Sequence, residues 1–191
     1  MRFFLDTANL DEIREAVSWG VISGVTTNPS LYAKTGGTLA GYEDHMRSIC
    51  AVCDGLPVSA ESCADTTEGM IEDGRRFARI APNIVVKLPV CTEALAATHA
   101  LAQEGISVNM TLVFTVPQAL LAARAGARYI SPFVGRFDDI AEDGVRTCAP
   151  PSTTMISATR SRSSAPRFAR RTTSPKPPSW AAISRRYRSP R

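Results

Sequence analysis

The feature that most constrains the fold of this chain is a repeated alternation of short apolar segments with longer amphipathic ones. Apolar segments of strand length are predicted at residues 3–5, 24–29, 57–61, 84–88, 107–113 and 129–134. A helical pattern follows each of them. The first begins at a cap, Asn9 or Asp11, and continues through Trp19; the others lie at 38–52, 65–80, 92–104, 117–125 and 138–146. Strand–helix units at this spacing predict a parallel sheet with crossover helices.

The positions of the polar residues distinguish two parallel-sheet folds. In a doubly wound sheet, ligands gather at one switch point, whereas in a TIM barrel every strand end contributes to one mouth. Polar side chains fall at the ends of all six predicted strands, namely Asp6, Asn28, Glu61, Lys87, Asn109, Thr111 and Arg136. No glycine-rich phosphate motif follows the first strand. The prediction is an α/β TIM (β/α)8 barrel, incomplete with about six units, since 191 residues fall short of the ~250 that are typical.

Charge divides the chain into two parts. All 18 acidic residues lie within residues 1–146, whereas 10 of the 22 lysines and arginines lie in residues 147–191. The net charge of +4 therefore originates in the second part. The first part is mildly acidic and has no basic stripe for nucleic acid.

Compartment is predicted from the start of the chain and from the cysteines. The opening MRFFLDTANLDE reaches acidic residues too early for a secretory signal, and no apolar run of about 18 residues predicts a membrane span. Five cysteines without a signal indicate free thiols in the cytoplasm. The CxxC spacing of Cys50 and Cys53 lies at the end of a helical pattern and is interpreted as structural, so no metal is predicted.

Lys87 is the residue that most strongly suggests chemistry, because it lies inside the apolar segment IVVKLP. Burial disfavours the ammonium form of a lysine and favours the neutral amine that a Schiff-base nucleophile requires. A lysine at a strand end can equally extend its side chain to solvent. The local sequence leaves both interpretations open.

The residues expected near Lys87 match the needs of an aldol cleavage. A Schiff base converts the carbonyl of a ketose into an electron sink, and Asp6 is the candidate for moving the proton of the C4 hydroxyl. Glu61 is the candidate for activating the water that forms and hydrolyses the imine, with Thr111 sharing that water.

Three further residues are candidates for binding substrate. Asn28 and Asn109 can hydrogen-bond hydroxyl groups, and Arg136 offers two donors to a phosphate. Taken alone, each residue also has an interpretation without function: Asp6 as a helix cap, Asn28 as a turn residue and Arg136 as a surface charge. Their convergence on one end of the sheet favours the functional interpretation.

Seven segments resemble one known family. They are FFLDTAN, GVTTNPSL, VSAE, NIVVKLP, NMTLVF, QALLAARAGA and YISPFVGRFDDI, in order over residues 1–146. They resemble the transaldolase family, and more narrowly its short subfamily that includes fructose-6-phosphate aldolase. The resemblance implies a TIM barrel with Lys87 as the Schiff-base residue on strand four.

The resemblance also implies roles for other residues. Asp6 would be the acid/base on strand one, Asn28 a substrate-binding residue after strand two and Arg136 a phosphate-binding residue. The other positions that match the family's active site are Glu61, Asn109, Thr111, Ser131 and Phe133. The family implies sugar-phosphate substrates, no metal or organic cofactor, and no nucleic-acid or membrane partner. It also implies rings of identical subunits. The family's closing C-terminal helix is missing from this sequence, which argues against such rings here.

Two activities are compatible with this resemblance. Transaldolases transfer a dihydroxyacetone unit between sugar phosphates in the non-oxidative pentose phosphate pathway, whereas the aldolase branch releases free dihydroxyacetone. In the aldolase branch a tyrosine replaces Phe133 and a glutamine replaces Glu61. Phe133, Glu61 and Asn109 together predict a transaldolase.

The composition changes abruptly at Thr147. Residues 147–191 contain no Asp, Glu, Leu, Val or Gly, which fits a disordered basic tail that binds nucleic acid or membrane. A frameshift is the alternative that we favour. Read in a shifted frame, residues 153–169 permit YDNDFGYEVEILGASVR and residues 179–189 permit LLGGDIATVPF, which resemble the family's last two strands.

A frameshift has structural consequences. The tail is then predicted to supply no strand, because it is rich in proline and arginine and lacks an alternating apolar pattern. The inward apolar residues of strands one and six are expected to lose their neighbours across the gap. The 191-residue chain is therefore predicted not to form a closed, active barrel.

Overall fold

The computed structural model describes residues 3–133 together with 162–163, which form one curled parallel sheet with flanking helices. The strands are β1 (Phe3–Asp6), β2 (Ile22–Thr26), β3 (Val58–Glu61), β4 (Ile84–Pro89), β5 (Val108–Val113), β6 (Tyr129–Pro132) and β7 (Arg162–Ser163). The helices are α1 (Leu10–Ser18), α2 (Pro29–Lys34), α3 (Tyr42–Cys53), α4 (Thr67–Ala78), α5 (Thr92–Gln103) and α6 (Val116–Ala125), with a short 3₁₀ helix at Leu39–Gly41. The predicted helix at 138–146 lies outside the described residues.

The order of the strands identifies the architecture. Each strand pairs in parallel with the next one along the chain, so the order runs from β1 to β7 without reversal. A doubly wound sheet reverses its order at the switch point. The fold is therefore the predicted incomplete TIM barrel, with alternating strands and helices.

The sheet curls far enough to bring its first and sixth strands into contact. The rings of Phe4 and Tyr129 meet edge to face with centroids 5.8 Å apart. The prediction that the apolar side chains of strands one and six lose their neighbours is wrong for this pair. The two rings are large enough to meet where smaller side chains would leave a gap. Their edge-to-face arrangement is one that aromatic pairs favour.

The tail contributes one short strand, contrary to the prediction that it supplies none. Arg162 and Ser163 of β7 pair in parallel with Tyr129 and Ile130 of β6. Ladder hydrogen bonds use backbone groups, which every residue except proline carries in full, so the polar composition of the segment does not prevent pairing. The two residues lie within residues 153–169, the first of the two segments whose shifted-frame readings resemble the last two strands of the family.

Strand β4 has the burial expected of a barrel strand. All of its residues from Ile84 to Leu88 are buried. Val86 and Leu88 belong to the core between sheet and helices, and alternation along the strand places Val85 and Lys87 on the inner face. The lysine is therefore directed into the barrel, while its neighbours anchor the strand to the helices.

Capping residues set the beginnings of the helices. The side chain of Asn9 accepts hydrogen bonds from the backbone nitrogens of Asp11 and Glu12 at the start of α1. Of the two residues predicted as possible caps, Asn9 is therefore the one that caps the helix. Helix α2 was not predicted, because Pro29 was interpreted as the end of a turn. Proline is favoured in the first turn of a helix, where its missing N–H is not needed, and α2 uses it there behind the cap Asn28.

Candidate active site

Lys87 lies at the centre of the candidate site. Its side chain is buried and its Nζ is 3.0 Å from Oε2 of Glu61. The same nitrogen donates a hydrogen bond of 3.2 Å to the carbonyl oxygen of Thr27. Lys87 is therefore held inside the barrel by acceptors from two neighbouring parts of the sheet, and it does not extend to solvent.

The register of the sheet accounts for this ion pair. Glu61 is the last residue of β3 and pairs directly with Lys87 of β4. Alternation places both side chains on the inner face of the sheet. The Glu61 carboxylate stabilises a positive charge on Lys87, whereas burial opposes that charge.

A cavity of about 480 Å³ opens at the carboxyl ends of the strands. Five of the predicted site residues line it: Asn28, Glu61, Lys87, Thr111 and Phe133. The volume is within the range of small-molecule sites, about 300–1,000 Å³. Its lining contains an amine, a carboxylate, a hydroxyl and an aromatic ring. An amine beside a carboxylate can form a Schiff base with a carbonyl compound.

Asn109 and Ser131 form a hydrogen-bonded group beside the cavity. Asn109 pairs with Lys87 in the sheet and is 1% exposed. Its amide nitrogen donates to Oγ of Ser59 at 3.1 Å, and its amide oxygen accepts from Oγ of Ser131 at 2.9 Å. Asn109 thus joins three strands next to Lys87.

Asn28 combines a structural and a binding position. Its side-chain oxygen accepts a hydrogen bond of 2.8 Å from the backbone nitrogen of Leu31, which caps α2. The same residue lines the cavity. Because the cap uses the oxygen, a contact between this side chain and a ligand would be made by the amide nitrogen.

Asp6 ends β1 at the same end of the sheet but is not part of the cavity lining. Its carboxylate accepts a hydrogen bond of 2.8 Å from Oγ1 of Thr26, and the residue is exposed. It does not cap α1, since Asn9 does. Arg136, the predicted phosphate ligand, lies outside the described residues.

Phe133 and Thr111 lie where β5 and β6 end. The ring of Phe133 packs edge to face against Phe114, with centroids 5.7 Å apart. Thr111 is 1% exposed, and its hydroxyl has no hydrogen-bond partner among the described residues. A buried hydroxyl without a protein partner is costly unless a ligand or water satisfies it.

Sequence reasoning missed several residues of the site. Ser30, Ser62 and Cys63 line the cavity, and Thr27 supplies a carbonyl oxygen to Lys87. Thr27 follows the end of β2, and Ser62 and Cys63 follow the end of β3. Their positions after predicted strands could therefore have identified them as candidate site residues. Ser30 was missed together with α2.

The two cysteines with the CxxC spacing lie in an environment typical of structural residues. Cys50 and Cys53 are buried and not disulfide-bonded. Burial raises the pKa of Cys50 to about 12 and that of Cys53 to about 11, which disfavours the reactive thiolate. Between residues 3 and 133, no group of His, Cys, Asp and Glu side chains is arranged to hold a metal ion.

None of the helices described between residues 3 and 133 is long and apolar enough to cross a membrane.

Comparison with known protein families gives one extended match. A family model described as transaldolase/fructose-6-phosphate aldolase matches residues 3–173. The match covers every strand described above, including β7 in the tail.

Curated relatives match over about three quarters of the chain. A "Probable transaldolase" of Heliobacterium modesticaldum is 58% identical over 145 residues, covering 76% of this chain and 66% of the relative. Proteins of the same description from Thermoanaerobacter sp. and Thermus thermophilus are 57% and 56% identical, covering 76% and 75% of this chain and 66% and 67% of the relatives. The matched part thus spans about two thirds of the length of these relatives.

Among solved structures, 2,3-dimethylmalate lyase, a PEP mutase/isocitrate lyase superfamily member, is similar in fold. The TM-score is 0.50 at 16% identity, covering 76% of this chain and 62% of that protein. This likeness concerns the fold alone.

Proposed function

Because the chain belongs to the transaldolase/fructose-6-phosphate aldolase family, we propose that it is a transaldolase that transfers a dihydroxyacetone unit between sugar phosphates through a Schiff base on Lys87. The observation that carries the proposal is the buried Lys87 amine at 3.0 Å from the Glu61 carboxylate in the lining of the cavity. The place of this reaction is the non-oxidative pentose phosphate pathway of the cytoplasm.

The first step needs a neutral amine and a means to move water. The Lys87 amine adds to the C2 carbonyl carbon of a ketose phosphate, and loss of water leaves an imine. Glu61 is within hydrogen-bond reach of Lys87 and accepts the proton that the ammonium must lose. The hydroxyl of Thr111, which has no hydrogen-bond partner within the part of the chain that the structure describes, holds the water that leaves and later returns.

The second step breaks the bond between C3 and C4. The imine is protonated on its nitrogen, as an iminium ion, so the electron pair of this bond moves to the iminium and gives a neutral enamine. The C4 hydroxyl gives its proton to Asp6, and C4 leaves as the carbon of an aldehyde. In the reverse sense the enamine carbon attacks a new aldehyde, and Asp6 returns the proton to the hydroxyl that forms. Water then hydrolyses the imine, which releases the product ketose and the Lys87 amine.

Substrate binding is assigned to the polar groups around this amine. The Asn28 amide nitrogen and the Asn109–Ser131 pair would contact the hydroxyl groups of the sugar. This assignment is supported by Asn28 in the lining of the cavity and by Asn109 beside Lys87 in the sheet. Arg136 is the proposed phosphate ligand. Phe133 supplies an apolar side to the cavity, which excludes water from the enamine.

Fructose-6-phosphate aldolase activity is the alternative within the family. It differs in the fate of the enamine, which is protonated and released as free dihydroxyacetone instead of being passed to an acceptor. Glu61 and Phe133 favour transfer, since a glutamine and a tyrosine would be expected at these positions in an aldolase.

Both reactions are to be assayed on one preparation with fructose 6-phosphate as donor. With erythrose 4-phosphate as acceptor, the appearance of a seven-carbon ketose phosphate should be faster than the release of dihydroxyacetone without acceptor. Phe133→Tyr is the informative variant, because it adds a hydroxyl at the cavity wall and should shift the ratio towards release. Release faster than transfer in the parent protein would assign the chain to the aldolase branch.

A further inference from the structure

Strand β5 contains an irregularity immediately beside the site. Met110 pairs with Ile130, but the next pair is Val113 with Pro132, so β5 has one residue more than β6 in this interval. Leu112 within it has φ 56, in the left-handed region that favours glycine. The segment is a β-bulge whose left-handed position is occupied by a branched apolar residue.

This conformation has no origin in the packing of the core. The other non-glycine residue with positive φ in the described chain is Asp54, which ends helix α3, where the left-handed conformation is common. Leu112 lies inside a strand and is the one exposed residue of β5, at 36% exposure. Backbone strain of this kind persists where the surrounding structure enforces it, and it concentrates at functional sites.

The bulge changes which side chains face the cavity. An extra residue shifts the alternation of a strand by one position. Thr111 before the bulge lines the cavity. After the bulge Phe114, rather than Val113, lies on that side, where its ring contacts Phe133 of the cavity lining.

The position of Val113 supports this interpretation. Val113 is buried in the core between sheet and helices, and its carbonyl oxygen accepts a hydrogen bond of 3.0 Å from the backbone nitrogen of Phe133. In a regular strand, Val113 would lie on the same face as Thr111. The bulge therefore connects the orientation of Thr111 to the positions of Phe114 and Phe133.

We propose that Leu112 is a positioning residue for the reaction: its left-handed backbone maintains the β5 bulge, which directs the unpaired Thr111 hydroxyl towards Lys87 and Glu61 and supports Phe133 through Phe114. The residue contacts no substrate and acts through its neighbours. The inference rests on the proposed function, because the Thr111 hydroxyl matters only if water must be handled at an imine on Lys87.

The test compares variants that differ in their tolerance of positive φ. Leu112→Gly adopts this conformation freely, whereas the β-branched side chain of Leu112→Val disfavours it. Leu121→Val, at an exposed leucine of α6, is the matched control for a leucine-to-valine change. Imine formation with fructose 6-phosphate is measured in the 191-residue chain as the rate of borohydride trapping over a range of sugar concentrations, below the onset of thermal unfolding of each variant.

The expected pattern is a change in limiting rate without a change in affinity. Leu112→Val should trap the sugar about tenfold more slowly at an unchanged half-saturating concentration, because a displaced Thr111 hydroxyl loses part of the roughly 10²–10⁴-fold that general acid–base assistance typically contributes. Leu112→Gly and Leu121→Val should remain within about twofold of the parent. In a Thr111→Val background, Leu112→Val should cause no further loss, because residues that act through one group are not additive.

Two results would overturn the inference. One is a Leu112→Val variant that traps the sugar at the parental rate; the other is a full additional loss in the Thr111→Val background. If Leu112→Val does not fold, Leu112→Asn and Leu112→Thr decide, since asparagine tolerates positive φ and β-branched threonine does not: the asparagine variant should be severalfold faster, and equal rates would contradict the proposal. If the 191-residue parent traps no sugar, the variants are compared in a chain whose reading frame is corrected after residue 146, and a corrected chain that also traps none contradicts the proposed function itself.

Discussion

At the level of single residues, the environment of Lys87 presents two opposing influences. Burial favours the neutral amine, and the Glu61 carboxylate at 3.0 Å favours the ammonium. A nucleophile needs the neutral form, so a proton acceptor must lie within reach. In the proposed mechanism Glu61 is that acceptor, and its carboxylate lies within hydrogen-bond reach of the Lys87 amine.

The assignments of Asp6 and Glu61 predict that their loss affects different steps. Asp6→Asn should leave imine formation intact but slow cleavage of the C3–C4 bond by a factor on the order of 10²–10⁴. Glu61→Ala should mainly slow the formation and hydrolysis of the imine. Single-turnover measurements of trapping and of aldehyde release separate these steps, and normal turnover of Asp6→Asn would show that strand one does not supply the acid/base.

Some properties of these residues follow from the sequence and others do not. The burial of the strand around Lys87 was predictable, because the apolar residues of IVVKLP indicate a strand covered on both faces. Whether the lysine side chain itself stays inside or extends to solvent was left open by the local sequence. The contact of Asn109 with Ser59 and Ser131 depends on the register of three strands. Register is fixed by the packing of the whole sheet, which no local pattern reveals.

At the level of elements, close packing between β1 and β2 shapes the interior of the barrel. Gly24 lies against the ring of Phe4, and a Cβ at this glycine would lie 2.3 Å from the nearest ring atom and 2.8 Å from the carbonyl oxygen of Pro57. Phe4 in turn contacts Tyr129. The absence of a side chain at Gly24 therefore allows the rings to meet across the curled sheet.

This packing makes Gly24→Ala a sensitive test of the fold. The added methyl group should destabilise the protein by about 1–3 kcal/mol through overpacking, measured by urea unfolding. Gly74→Ala in α4 is the control: its Cβ would meet the flexible end of Leu101, and alanine favours a helix, so its loss should be smaller.

A second substitution shows whether Phe4 is responsible. In a Phe4→Leu background, Gly24→Ala should cost less than in the parent, and the difference is the coupling energy of the pair. A Gly24→Ala protein as stable as the parent would contradict the packing described for β1 and β2.

Elements with regular patterns were predicted well and those with exceptional backbone were not. The six strands before the tail were each predicted to within about two residues, except that the second ends at Thr26 rather than at residue 29. Helix α2 and the bulge at Leu112 were missed, because one begins with proline and the other places leucine in a conformation typical of glycine. The proline conceals a helix start that it in fact favours, whereas the left-handed leucine departs from residue preferences, and both features lie at the candidate site.

At the level of the whole molecule, the question is how the sheet is completed. Within the described residues β1 pairs only with β2, so one of its edges is not closed by a strand. Closure of a barrel removes such edges, which otherwise carry unpaired backbone groups. The two-residue strand β7 extends the other edge, but it is too short to close the gap.

The shifted-frame interpretation of residues 147–191 predicts a more stable protein after correction. A gene corrected to encode the predicted last two strands should give a chain that unfolds at a higher urea concentration and turns over substrate faster, because strands seven and eight would pair with β6 and β1. The measurement is resequencing across codons 140–191, followed by unfolding and transfer assays of both chains. A verified frame that encodes this tail, with equal stability and turnover, would contradict the prediction.

The claim that all of these proposals share is that Lys87 forms the covalent intermediate. The most direct test is to treat the protein with fructose 6-phosphate and borohydride and to locate the reduced adduct by peptide mass spectrometry. The adduct should lie on Lys87, should be lost in Lys87→Ala and should persist in Lys34→Ala, a change at the exposed lysine of α2. Labelling at full stoichiometry in Lys87→Ala would contradict the account.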